Sequence, residues 1–127
     1  MKKVLIGFDI DGTLRNNRYK DKVVPNEGVR TLLVLLAKMK STKILVWSGG
    51  GELYARQVVA SMGIDKYVDA YAGKQRVACQ NPLSGCEEAD QFHHHFVLPE
   101  GLKRPDICID DIHTFELGAV NLIVNEK

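Results

Sequence analysis

The sequence predicts an α/β fold, a central parallel sheet with helices on its faces. Two observations carry this reading. Short apolar runs alternate with longer amphipathic ones, which is the strand–helix rhythm of a parallel sheet. Several of the apolar runs also end in a polar or charged residue, and open parallel sheets gather functional groups at the carboxyl ends of their strands.

Lys3 to Phe8 is short and apolar, the form of a buried strand, and Asp9 to Asp21 is polar and turn-rich, hence a loop. Pro25-Asn26-Glu27 opens a helix, because proline is tolerated in a first turn and an acidic residue suits the positive helix start. Val29, Leu32, Leu33, Leu36 and Met39 then recur every three or four residues and predict one apolar helical face. Lys43 to Trp47 is a second strand, broken by Ser48-Gly49-Gly50-Gly51, and Glu52 to Met62 is a second helix with Gly63 at its C-cap. Val68 to Ala72 reads as a third strand ending at Gly73-Lys74, and Asp106 to Ile109 as a fourth ending at Asp110-Asp111. His113 to Leu117 suits one helical turn, and Val120 to Val124 a last strand.

The 127 residues suit one domain spanning 1–127, long enough to bury a core without disulfide or metal support. Hydrophobic residues at 45% and charged residues at 26% are ordinary globular proportions and exclude a disordered or fibrous chain. A net charge of +1 gives no footprint for nucleic acid or an anionic membrane, although Arg15, Arg18, Lys20 and Lys22 form a local basic run. No apolar stretch approaches the roughly 20 residues of a spanning helix. The apolar run after Lys2-Lys3 is too short for a signal-peptide core. Three cysteines, an odd number, suggest no disulfide framework and fit a reducing compartment, so the expected location is cytoplasmic.

The predicted strand ends bring together Asp9 and Asp11, Ser48, Lys74, and Asp110 with Asp111. One aspartate after a strand is ordinarily a loop cap; four polar strand ends in one chain make that explanation poor. Clustered carboxylates repel one another unless a cation sits among them, and hard oxygen ligands select magnesium. A lysine and a hydroxyl suit transferring phosphoryl oxygens, and a carboxylate can itself attack phosphorus. The residue set therefore points to phosphoryl chemistry.

Asp9-Ile10-Asp11-Gly12-Thr13-Leu14 resembles the D-x-D-G-T-L/V signature of the haloacid dehalogenase (HAD) superfamily. Ser48 after Ile44 to Trp47, Lys74, and Asp110-Asp111 after Ile107 to Ile109 resemble its second, third and fourth motifs in the same order. The resemblance covers Val4 to Asp111 and implies a HAD-like, Rossmann-like three-layer domain. It also implies a magnesium-dependent phosphatase that hydrolyses a phosphomonoester through an aspartyl-phosphate. Under it, Asp9 is nucleophile and metal ligand. Asp11 is the acid/base residue and offers its backbone carbonyl to the metal. Gly12 lets the chain turn closely round the phosphate, and Thr13 supports the nucleophile. Ser48 and the amide of Gly49 hold phosphoryl oxygens. Lys74 screens charge, Asp111 binds the metal directly, and Asp110 does so directly or through water. Asp11 favours phosphatase over dehalogenase, since family members acting on phosphoryl groups keep an aspartate there. Lys103, in Lys103-Arg104-Pro105, resembles an alternative lysine found in some small members; Lys74, which ends a predicted strand, is preferred.

Ten residues between Leu14 and Pro25 allow a flap and not a cap domain, so the chain resembles capless members. An open site suits a large phosphorylated substrate, such as a nucleic-acid end or phosphoprotein, or a small one enclosed by a second copy in a homo-oligomer. Residues 75–105 break the α/β rhythm and read as an irregular insert or lid. Within them Cys79, Cys86, His93 and His95 offer zinc ligands, but six residues separate the cysteines, outside the two-to-four spacing of zinc sites, so a plain loop is favoured. A phospho-receiver is disfavoured because its acidic pair follows the first strand, whereas here it comes last. A non-catalytic regulatory module would have lost the nucleophile or a metal ligand, and neither is lost.

Overall fold

The computed structural model describes residues 3–78, 94–97, 103–111 and 118–124. Five parallel strands make the central sheet: β1 (Val4–Asp9), β2 (Thr42–Ser48), β3 (Ala70–Gly73), β6 (Ile107–Asp110) and β7 (Val120–Ile123), in the spatial order β3-β2-β1-β6-β7. Helix α1 (Glu27–Ala37) links β1 to β2. Helix α2 (Glu52–Ser61) and a 3₁₀ turn at Asp65–Tyr67 link β2 to β3. A separate antiparallel pair joins β4 (Gln75–Ala78) to β5 (His94–Val97), with Val77 opposite His95. The expected α/β, Rossmann-like architecture is the one observed.

The strand order follows from the handedness of the crossovers. Connections between parallel strands are right-handed, so two crossovers stepping the same way, β1 to β2 and β2 to β3, put α1 and α2 on one face. Ile6 and Phe8 of β1, Ile44 and Val46 of β2 and Ile109 of β6 point to that face. They pack with Val29 and Leu33 of α1 and Ala55, Val58 and Val59 of α2. Each such side chain contributes about 1.5–3 kcal/mol on burial. The opposite face is covered too: Leu45, Trp47 and Cys108 are buried there, and Pro105 lies against Gly7. The sheet is therefore a middle layer, and β2 is buried from Ile44 to Ser48, as a strand covered on both faces should be. Among the described residues no helix is long and apolar enough to cross a membrane.

Two sequence expectations are corrected. On α1 only Val29 and Leu33 are buried, and Leu32 is 39% exposed, because the helix carries more apolar residues than its contacts can cover; Met39, 55% exposed, lies beyond the end of the helix at Ala37. Residues 75–105 are not wholly irregular, since their ends supply β4 and β5 and their last residues lead into β6. Cys79, Cys86, His93 and the turn at His113 to Leu117 lie outside the described residues, as does the His95 side chain. Gly63 follows α2 with φ +72°, the left-handed conformation of a C-cap glycine.

Candidate active site

Beyond β3 the chain reverses its direction across the sheet, and β6 pairs with β1 on the side away from β2. The carboxyl ends of β1 and β6 form the switch point where parallel sheets place their ligands. Asp9 ends β1 and Asp110 ends β6, with Asp111 next. One oxygen from each of these three carboxyl groups lies within 4.8 Å of the others.

Lys74 enters from the far side. Register sets it there: Ser48 of β2 pairs with Gly73 of β3, and the Ser48 carbonyl accepts the Lys74 N–H at 2.8 Å. The Lys74 ammonium donates to Asp9 Oδ1 and Asp110 Oδ2, both at 2.8 Å, with all three side chains at most 10% exposed. Its Nζ also stands 5.5 Å from the centroid of the buried Trp47 ring. Burial works to neutralise Lys74, but Asp9 and Asp110 outweigh it and raise its pKa, so the ammonium stays charged. Lys103 lies elsewhere, exposed, on a surface cavity with Lys3, Leu5, Lys43 and Ala70 near the opposite end of the sheet.

One ammonium does not balance three carboxylates. Burial, with the charge of Asp110 adding to it, pushes Asp9 up to about 6 in spite of Lys74. Burial, the hydrogen bond that a protonated Asp111 donates to Asp110, and the charges of Asp9 and Asp110 push Asp111 up to about 7. Asp111 Oδ1 is buried without a hydrogen-bond partner. Crowded carboxylates, one oxygen orphaned and two acids held above their usual range are what a hard divalent cation would relieve. On that test Asp9, Asp110 and Asp111 fit a hard divalent cation.

The turn after β1 is shaped for this group. Gly12 has φ +82°, and a side chain there would collide with the Asp111 carboxylate and approach Asn17. Thr13 is fully buried with Oγ1 3.5 Å from Asp9 Oδ2, at the outer edge of a hydrogen bond. Ser48 is buried at the end of β2, where its hydroxyl accepts the Gly50 N–H at 3.0 Å; among the described residues no hydrogen bond links that hydroxyl to the carboxylates. Gly49 is exposed beside it.

The Asp11 carboxylate stands outside the acidic group and is 44% exposed. Tyr54 of α2 donates its hydroxyl to Asp11 Oδ1 at 2.6 Å, and Arg15 donates Nη1 to the same oxygen at 3.2 Å. Sequence reading missed both residues as members of the site. Arg15 counted only as part of a basic run, and Tyr54 is 43 positions from Asp11, with no local signal to join them. Arg15 is moreover not an open cation, because its Nη2 donates to the carbonyls of Tyr19, Lys20 and Lys22. Cys108 is core, its thiol pushed up to about 12, chiefly by burial. In comparisons with known proteins, no family model, no curated protein and no solved structure matches this chain.

Proposed function

We propose that the chain is a magnesium-dependent phosphatase acting on phosphomonoesters, with Asp9 as nucleophile, of the HAD type that its motifs resemble. The observation that carries the reading is the convergence of Asp9, Asp110, Asp111 and Lys74 at the sheet's switch point, beside the Gly12 turn. Asp9, Asp110 and Asp111 would hold the magnesium ion, with the Asp11 carbonyl as the further ligand that the resemblance implies. When bound, the ion would neutralise carboxylate and phosphoryl charge.

The remaining roles belong to the chain itself. An Asp9 carboxylate oxygen attacks phosphorus and the bond to the ester oxygen breaks. The Asp11 carboxyl gives that oxygen its proton, so the alcohol leaves neutral. Water then attacks the aspartyl-phosphate, Asp11 takes a proton from it, and the acyl–phosphate bond breaks to restore Asp9 and release phosphate. Lys74 offsets negative charge on Asp9 during both steps, and the Ser48 hydroxyl and Gly49 amide receive phosphoryl oxygens. The substrate is a phosphorylated molecule, and a cytoplasmic setting fits the cysteine content.

The test is hydrolysis of 4-nitrophenyl phosphate and a panel of phosphometabolites, in magnesium and in chelator, by the native chain and by Asp9→Asn. Magnesium-dependent turnover that Asp9→Asn abolishes is expected. Absence of turnover on every substrate would sink the enzyme reading, and turnover surviving Asp9→Asn would sink the nucleophile.

A further inference from the structure

The contacts of Asp11 are one-sided. Tyr54 Oη and Arg15 Nη1 both donate to Oδ1, at 2.6 and 3.2 Å, and Arg15 Nη1 also reaches Tyr54 Oη at 3.2 Å. Among the described residues Oδ2 takes no hydrogen bond. The two donors come from different parts of the fold. Tyr54 belongs to α2, which packs on β2 and β3. Arg15 is the hub of the loop after β1: its backbone bridges Asp11 and Pro25, and its Nη2 gathers three loop carbonyls. Arg15 is only 15% exposed, so the clamp is built into the structure and is not a passing surface pair.

A carboxyl oxygen that already accepts two donors has no room for a proton, so a proton carried by Asp11 sits on the other oxygen. An ordinary phenol is protonated at neutral pH, so Tyr54 is a donor to Asp11. We infer that Tyr54 and Arg15 are positioning residues that grip Asp11 by Oδ1 and present Oδ2 as the one oxygen that gives and takes the proton during phosphoryl transfer. The inference rests on the reading of Asp11 as the acid/base residue. It goes further in assigning a division of labour between the two oxygens and naming the residues that impose it.

A clamp that only stiffened the loop would affect all substrates alike. A clamp that orients the acid matters most when the leaving oxygen is strongly basic and least when it departs unaided. The experiment measures kcat/KM in magnesium for benzyl phosphate, 4-nitrophenyl phosphate and 2,4-dinitrophenyl phosphate. The proteins are the native chain, Tyr54→Phe, Arg15→Gln and Arg15→Lys. Tyr54→Phe and Arg15→Gln are expected to lose roughly 10–100-fold on benzyl phosphate, a fraction of the roughly 10²–10⁴-fold that general acid–base catalysis supplies, and under about threefold on the dinitrophenyl ester. Arg15→Lys, which keeps one donor, should fall between. Should Arg15→Gln fail to fold, Tyr54→Phe carries the test, since it removes one oxygen and no packing surface. Equal loss on all three esters, or no loss, overturns the inference and leaves the phosphatase reading standing. A native chain inactive on all three esters overturns both.

Discussion

Replacing Lys74 by methionine tests the electrostatics of the site without reference to any substrate. Methionine keeps most of the stem beside Trp47 and removes only the charge. Lys74 makes two charge-assisted bonds of 2.8 Å, and its partners Asp9 and Asp110 are 10% and 4% exposed. Removing one member of a buried ion pair leaves uncompensated charge behind and costs about 3–5 kcal/mol. For 127 residues that corresponds to a fall in Tm of roughly 10–20 °C. Urea denaturation at pH 8 in chelator should read the loss directly as a lower midpoint at unchanged slope.

The pH dependence gives the experiment a sign. Asp9 stands at about 6 in the folded chain, against about 3.9 for an ordinary aspartate. The folded state therefore holds this proton more tightly, and the stability it contributes is complete below about pH 4 and fades as pH rises through 6. Without Lys74 burial acts unopposed and Asp9 rises further. The deficit of Lys74→Met should be largest at pH 8, shrink to about 1 kcal/mol by pH 5, and shrink also when millimolar magnesium replaces chelator. Lys103→Ala, at an exposed position, should stay within about 0.5 kcal/mol of the native chain. A Lys74→Met variant within 1 kcal/mol of native at pH 8, or a deficit that grows in acid, would refute the reasoning.

Gly12→Ala must adopt φ +82° and displace the Asp111 carboxylate. It should lose about 1–2 kcal/mol from backbone strain alone and bind magnesium more weakly in a calorimetric titration; unchanged affinity would mean that Asp111 is not a ligand. Magnesium uptake should release about one proton at pH 6, where Asp9 and Asp111 still hold protons, and almost none at pH 8.5. Calorimetry in buffers of different ionisation heat measures that release, and a value of zero at pH 6 would count against the acidic group as the metal site. The Cys108 thiol, buried and pushed up to about 12, should resist iodoacetamide at pH 8 and react once urea unfolds the chain, as mapped by peptide mass spectrometry.

What the sequence discloses and what it hides divide along physical lines. Asp9 and Asp110 are legible because each ends an apolar run, and the chemistry of a parallel sheet lies at such ends. Lys74 and Lys103 are hard to tell apart locally, since both stand next to apolar segments. Only the pairing of Ser48 with Gly73 brings Lys74 to the carboxyl ends and leaves Lys103 on a cavity at the other end. Tyr54 was hidden for the same reason, its partner Asp11 being reached through tertiary packing. Strands β4 and β5 escaped notice because they pair only with each other, across residues 79–93, outside the strand–helix alternation that marks the central sheet. Leu32 and Met39 misled in the opposite sense: periodicity says nothing of how wide the covering surface is, which left Leu32 exposed, or of where the helix stops, which left Met39 beyond its end.

The aspartates themselves separate by which end of the sheet they occupy. At the amino ends of the parallel strands the backbone offers N–H groups. Asp106 accepts the Leu5 N–H and Asp69 the Ile44 N–H, each at 2.8 Å. Each of these carboxylates thus has a backbone donor from the neighbouring strand. At the carboxyl ends the backbone offers carbonyl oxygens, which cannot satisfy a carboxylate. Asp9, Asp110 and Asp111 meet there, and among the described residues the Lys74 ammonium bridges Asp9 and Asp110. Lys74 offsets one negative charge. Burial first, and then the neighbouring negative charge, hold Asp9 and Asp111 at about 6 and about 7, a crowding that a divalent cation would relieve. The same sheet thus gives one pair of aspartates backbone donors and leaves the other group crowded, and sequence position relative to the strand is what decides between them.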